Sequence, residues 1–166
     1  CIRDSNKIVN LSDKKKSLGI IAASAGNHAQ GVALACKKLK INCNIVMPVT
    51  APENKLNNVK RLGAKVTLHG ENLADALVKA AKISKQNKYT FVHPFDDPFT
   101  IAGQGTIGKE ILDDEIDYDV IFVPVGGGGL LAGIAAWVKQ HKKKIKIIGV
   151  EVNDSACLTE ALKSNK

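Results

Sequence analysis

The chain has 166 residues, enough for one sizeable core or two small lobes. Although 45% of it is hydrophobic, no apolar run approaches a membrane-spanning length, and the polar start Cys1-Ile2-Arg3-Asp4-Ser5 does not read as a signal peptide. The net charge of +8 raises a nucleic-acid partner, but the lysines are scattered or sit in short runs, as at 142–144, and the four Phe, two Tyr and one Trp never interleave with a basic patch, so solvated lysine faces explain the charge and nucleic acid is not expected.

In chain order, residues 6–11 read as the end of a helix, and Ser12-Asp13-Lys14 as the start of a polar connection. Residues 19–23 are the first strand and residues 30–38 the first clear helix. A strand at 41–47 is stopped by Pro48. Ala51-Pro52-Glu53 then opens a helix with Pro near its first position and an acid in its first turn, running to Leu62 and ending at Gly63. Residues 64–69 alternate as a strand, and residues 72–86 carry Leu73, Ala76, Leu77, Ala80 and Ile83 at helical spacing. A strand at 89–93 stops before Pro94, and the loop 93–99 is the best passage between two lobes. Helix 100–112, strand 119–125, helix 130–140, strand 144–151 and a final helix at 154–164 complete the chain. Strands alternating with helices of this length predict an α/β fold with parallel sheets flanked by helices.

Cys1, Cys36, Cys43 and Cys157 show no Cys-x-x-Cys spacing. Cys36 and Cys43 lie in apolar runs and read as reduced core thiols, which fits a cytoplasmic protein without disulfides or structural zinc. The chain lacks an initiator Met and is expected to be a piece of a longer protein.

Two turns carry chemistry. The first, Ser24-Ala25-Gly26-Asn27-His28, lies between an apolar strand and a helix, where free backbone N–H groups and the helix dipole favour an anion. The plain alternative is a turn whose Ser and Asn only cap the helix. The second is Gly126-Gly127-Gly128-Gly129 between the strand ending Val123-Pro124-Val125 and the helix beginning Leu130-Leu131. Glycines put no Cβ in the way of an approaching phosphate and can aim several N–H groups at it. No Gly-Lys-Ser/Thr follows, so this is not a Walker loop. A dinucleotide fingerprint is the runner-up, with Glu151 near the position of the ribose-binding acid, but the glycines do not follow the first strand. Together the turns point to a phosphorylated cofactor, with Asn27 approaching it from the other lobe. His28 reads as a capping or supporting residue, and His69, His93 and His141 as strand-end or surface residues.

With Ile101-Ala102-Gly103-Gln104-Gly105-Thr106 and residues 124–133, the stretch Ser24–Gly31 resembles the pyridoxal-phosphate enzymes of fold type II, the tryptophan synthase β-like fold. The resemblance runs over essentially the whole chain and, within that family, is to the threonine dehydratases. Residues 151–158 look more like the biosynthetic, isoleucine-pathway form than the catabolic one. It implies pyridoxal 5'-phosphate as cofactor, with Gly126, Gly127, Gly128 and Gly129 on its phosphate and Asn27 on its ring oxygen. Ser24, Gly26, Asn27 and His28 would surround the substrate carboxylate. The implied reaction is loss of water from L-threonine, giving 2-oxobutanoate and ammonia. An L-serine dehydratase or serine racemase-like enzyme of the same fold is the nearest alternative. Racemases of this fold place Ser at the position of Ala25 as a second acid/base, so Ala25 favours elimination. They also bind a divalent cation just after the strand ending here at Glu151, but Cys157 stands where a carboxylate is expected, so no metal is expected.

The resemblance further implies residues 19–96 as a complete small domain, with 1–18 and 97–166 as part of the large cofactor-binding domain. It places the Schiff-base lysine at or just before Cys1, so no catalytic residue is assigned within the chain. The 166 residues alone are expected to be inactive. A non-catalytic paralogue that keeps only the anion site is the rival from another class. Threonine, with serine as a second substrate, is the implied partner, and relatives of this kind form homodimers or homotetramers.

Overall fold

Four consecutive apolar residues at 20–23 suit a parallel strand covered on both faces. In the computed structural model, which describes residues 2–164, they form β1 (Ile20–Ala23), buried at every position. The chain divides at Pro94 into two compact units, Cys1–Pro94 and Phe95–Lys166.

The first unit holds α1 (Ile2–Val9), α2 (Asp13–Leu18), β1, α3 (Asn27–Leu39), β2 (Cys43–Met47), α4 (Glu53–Arg61), β3 (Lys65–Leu68), α5 (Leu73–Asn87) and β4 (Thr90–Phe91). All its strands pair in parallel, in the order β3-β2-β1-β4. Alternate residues of β1 feed different cores, as the period of a strand requires. Ile20 and Ala22 join Ile8 of α1, Val32 and Cys36 of α3, and Val59 of α4. Ile21 and Ala23 meet Val46, Ala76 and Ala80 on the side of α5. Burying each isoleucine contributes about 1.5–3 kcal/mol. The strand order also matters for function. β2 and β3 lie to one side of β1 and β4 to the other, so the carboxyl end of β1 is the switch point where open α/β sheets take ligands.

The second unit holds α6 (Pro98–Asp113), β5 (Val120–Pro124), α7 (Gly129–His141), β6 (Lys146–Val150), a 3-10 turn at Asn153–Ser155 and α8 (Cys157–Lys163). Strands β5 and β6 pair in parallel, and Val123, Ile134, Val138 and Ile145 make the core between this sheet and α7. Helices α6 and α7 cross with their backbones in close approach. A Cβ on Gly133 would stand 2.7 Å from the Gly105 nitrogen, and one on Gly105 would stand 3.1 Å from the Gly133 oxygen.

The elements match the expected order, with local differences that have local causes. Residues 13–18 are helical rather than a connection, started by Ser12, whose Oγ accepts from Lys15 N at 3.4 Å. Helix α6 begins at Pro98 because the Asp97 carboxylate accepts from Phe99 N at 3.0 Å and Thr100 N at 3.1 Å. Strand β4 is short because it pairs only with Ile20 and Ile21. The last expected helix is split into the 3-10 turn and α8, since Glu151 caps the latter from outside.

Candidate functional site

Strand β1 hands over to the first turn through Ser24, whose N donates to Val46 O at 3.1 Å. Its Oγ accepts from Gly26 N at 3.0 Å and closes the turn on itself. Gly26 is the N-cap of α3, and among the described residues no side chain caps that helix. Among these residues the first N–H groups of α3, those of Asn27, His28 and Ala29, therefore have neither an intrahelical acceptor nor a side-chain cap. That favours an anion-binding turn over a merely capped one. Ser24, Ala25 and Gly26 are half-buried, whereas Asn27 is exposed. Asn27 borders a groove of about 400 Å³ with Gln30, Gly31, Leu34 and Leu62.

His28 turns the other way. Its ring is 5% exposed, with Nδ1 2.6 Å from Asp4 Oδ1 and Nε2 3.1 Å from Val92 O. What His28 presents at the turn is thus its backbone N–H. Asp4, on α1, is wholly buried and is also held by Arg3, Nε to Oδ1 at 3.0 Å and a terminal nitrogen to Oδ2 at 3.2 Å. Sequence reasoning passed over Asp4, although a signal was there. Asp4 and Ile8, four apart, share the buried face of α1, and a carboxylate on an apolar face needs a buried partner.

The second turn lies within the other unit. Gly128 is the N-cap of α7 with φ +81°, a left-handed conformation that costs glycine little. Ala132 N donates to Gly128 O at 2.9 Å, so α7 starts directly from the loop. A Cβ at Gly127 would run into the ring of Phe95, and one at Gly129 would stand 2.9 Å from Phe95 Cβ, whereas positions 126 and 128 face open space. Gly126, Gly127 and Gly128 line a cavity of about 450 Å³ with Phe95, Ser155, Cys157, Leu158 and Ala161. Phe95 gave no sequence signal, because nothing in a loop aromatic's spacing tells what it will pack on.

The remaining candidates fall outside both turns. His69 and His141 are exposed, His141 stacked on Trp137 at 4.4 Å between centroids, while His93 and Phe91 make a T-shaped pair with centroids 6.1 Å apart. Cys36, Cys43 and Cys157 are free thiols; a hydrogen bond with Cys36, then burial, pushes the Cys43 thiol far above its ordinary range. The Glu151 carboxylate accepts from Leu158 N at 2.8 Å, Thr159 N at 2.9 Å and Thr159 Oγ1 at 2.8 Å. These bonds, Leu158 N foremost, hold it below the ordinary carboxylate value of 4.5. Among the described residues no three metal-ligating side chains of His, Cys, Asp or Glu cluster. The lysine position expected at or just before Cys1 lies outside the described residues.

Comparison with known proteins places both turns in context. The family model described as "Pyridoxal-phosphate dependent enzyme" matches residues 3–166. The biosynthetic L-threonine dehydratase IlvA of Haemophilus influenzae is 53% identical over 155 residues, 93% of this chain and 30% of that protein. The catabolic L-threonine dehydratase TdcB of Staphylococcus aureus is 53% identical over 157 residues, 95% of this chain and 45% of that protein. Among solved structures, the processed form of threonine deaminase isoform 2 from Solanum lycopersicum superposes with a TM-score of 0.93 at 45% identity, covering 99% of this chain and 48% of that one. Maize serine racemase superposes with a TM-score of 0.93 at 33% identity, over 99% of this chain and 50% of that one. The chain thus spans less than half the length of these curated relatives. With a family model matched over nearly every residue and parallel α/β units shared with fold type II neighbours, the chain belongs to the pyridoxal-phosphate-dependent enzyme family.

Proposed function

We propose that the chain is part of a threonine dehydratase (threonine ammonia-lyase) that eliminates water from L-threonine to give an enamine, whose hydrolysis takes a water back and releases 2-oxobutanoate and ammonia. The observation that carries the reading is 53% identity to two threonine dehydratases over more than nine-tenths of the chain, with both candidate turns inside the match. The residues fit pyridoxal phosphate. The loop at 126–129 leaves open space at 126 and 128 that Cβ atoms would enter, takes a positive φ at Gly128 and opens α7 with its free N–H groups. Gly126, Gly127, Gly128 and Gly129 would hold the phosphate, and Asn27 would bond the ring oxygen and orient the ring. When bound, the cofactor supplies the electron sink that β-elimination needs.

The other residues of the first turn then act on the substrate. Ser24, Gly26, Asn27 and His28 would receive its carboxylate, the last two through N–H groups at the start of α3. Ala25 offers no proton donor or acceptor, so the chain has no acid/base there for the opposite face of the substrate. That supports elimination over the racemisation for which the maize neighbour is named.

Residues 19–96 would form the small domain, with 1–18 and 97–166 part of the large one. The division at Pro94 supports a boundary near 96, while α1 lies against α3 in the first unit. Among the described residues no helix is long and apolar enough to cross a membrane. We place the full-length protein in the cytoplasm, as a homodimer or homotetramer serving isoleucine biosynthesis. The test is growth of an isoleucine auxotroph lacking its own threonine dehydratase. Rescue by the full-length gene is the expected result. Failure to rescue, with activity on L-serine intact, would favour the serine dehydratase alternative.

A further inference from the structure

The fork of Arg3 on Asp4 and the two bonds of His28 fix a charge state. Val92 O can only accept, so His28 Nε2 carries a hydrogen. Both oxygens of Asp4 already accept from the Arg3 guanidinium, the arrangement of a carboxylate, so at 2.6 Å His28 Nδ1 also donates. His28 is then an imidazolium, and the three side chains sum to one positive charge. That charge sits at the second residue of α3, beside Asn27 and behind the uncapped N–H groups. The same bonds tie three elements together at the switch point of the sheet: α1 through Asp4, α3 through His28, and the end of β4 through Val92.

We infer that Arg3, Asp4 and His28 form a buried ion triad whose net positive charge, together with its hold on the first turn of α3, sets the affinity of that turn for the substrate's carboxylate. The inference rests on the assignment of the turn to the carboxylate made above. His28 and Asp4 are positioning residues here: they act through the backbone of α3 and do not touch reacting atoms. Asp4→Asn removes the counter-charge that keeps His28 doubly protonated, with almost no change in volume; the sum stays at one positive charge, on Arg3, while α3 loses the ion pair that holds its first turn. His28→Gln keeps an N–H for Val92 O but removes the charge.

The test uses the full-length protein. In a histidine-labelled ¹⁵N spectrum, with His28 assigned by its loss in the Gln variant, both ring nitrogens should carry hydrogens at neutral pH. In Asp4→Asn one of them should lose its hydrogen. In steady-state kinetics His28→Gln, which takes the sum to zero, should raise KM for L-threonine about tenfold, and Asp4→Asn, which keeps the sum but loosens the turn, should raise it by less, while kcat stays within about threefold in both. A singly protonated His28 in the unmodified protein would overturn the inference, as would folded variants in which kcat falls and KM does not move. The spectrum needs no turnover, so it decides the triad's charge even if threonine proves not to be the substrate.

Discussion

The ring of Phe95 fills the space in which a side chain at Gly127 would stand. One residue further back, a Cβ at Gly126 would meet nothing within 4 Å. A side chain at 127 is thus excluded by a neighbour within the fold, whereas at 126 the space is left for the phosphate proposed above. Gly127→Ala should cost about 1–3 kcal/mol through overpacking against Phe95. Gly126→Ala should change stability by less than about 0.5 kcal/mol. Denaturant melts of the cofactor-free protein check this, and equal losses for the two would refute it. Pyridoxal-phosphate affinity, read by equilibrium dialysis, should fall in both.

The crossing of α6 and α7 depends on Gly133, where a Cβ would stand 2.5 Å from Ile101 O and 2.9 Å from Gln104 Cβ. Backbone cannot yield there as a side-chain tip can. Gly133→Ala should therefore destabilise the protein by about 1–3 kcal/mol or more. A lowered denaturation midpoint with an unchanged slope is the expected signature.

Ser24 Oγ closes the first turn by accepting from Gly26 N. Ser24→Ala should cost only about 0.5–1.5 kcal/mol of stability. Its effect on KM for L-threonine should be larger than its effect on unfolding, since a loosened turn misaims the N–H groups of α3. A variant with normal KM would remove Ser24 from the carboxylate site.

Glu151 titrates below its ordinary value of 4.5 because Leu158 N, and then Thr159, donate to its carboxylate. The folded value is the lower one, so the charged form stabilises the fold above the unfolded value, and that contribution is lost as pH falls through the folded one. The amides of Leu158 and Thr159 should therefore lose exchange protection as pH drops below about 4.5. Glu151→Gln should abolish this pH dependence. If the protection factors of both amides are the same well below the folded value as at neutral pH, the cap does not hold α8.

Much of this architecture is legible in the sequence, for identifiable physical reasons. Strand β1 reads clearly because a strand buried on both faces is apolar at every position. The two turns read because glycine and small polar residues interrupt apolar runs where a strand becomes a helix. Helix α2 does not read, since it buries none of its residues and so shows no apolar period. The cap of α8 is equally hidden, because its acid comes from Glu151, before the 3-10 turn. Asp4 and Val92 meet His28 across 24 and 64 residues of sequence, and a contact over such a span leaves no local pattern.

The most direct test of the central claim is the product formed from L-threonine by the purified full-length protein supplied with pyridoxal 5'-phosphate. The account predicts 2-oxobutanoate and ammonia in equal amounts, with no D-allo-threonine, the Cα epimer, accumulating. Epimerised threonine without 2-oxobutanoate would contradict it, as would a folded, cofactor-loaded protein that leaves threonine unchanged.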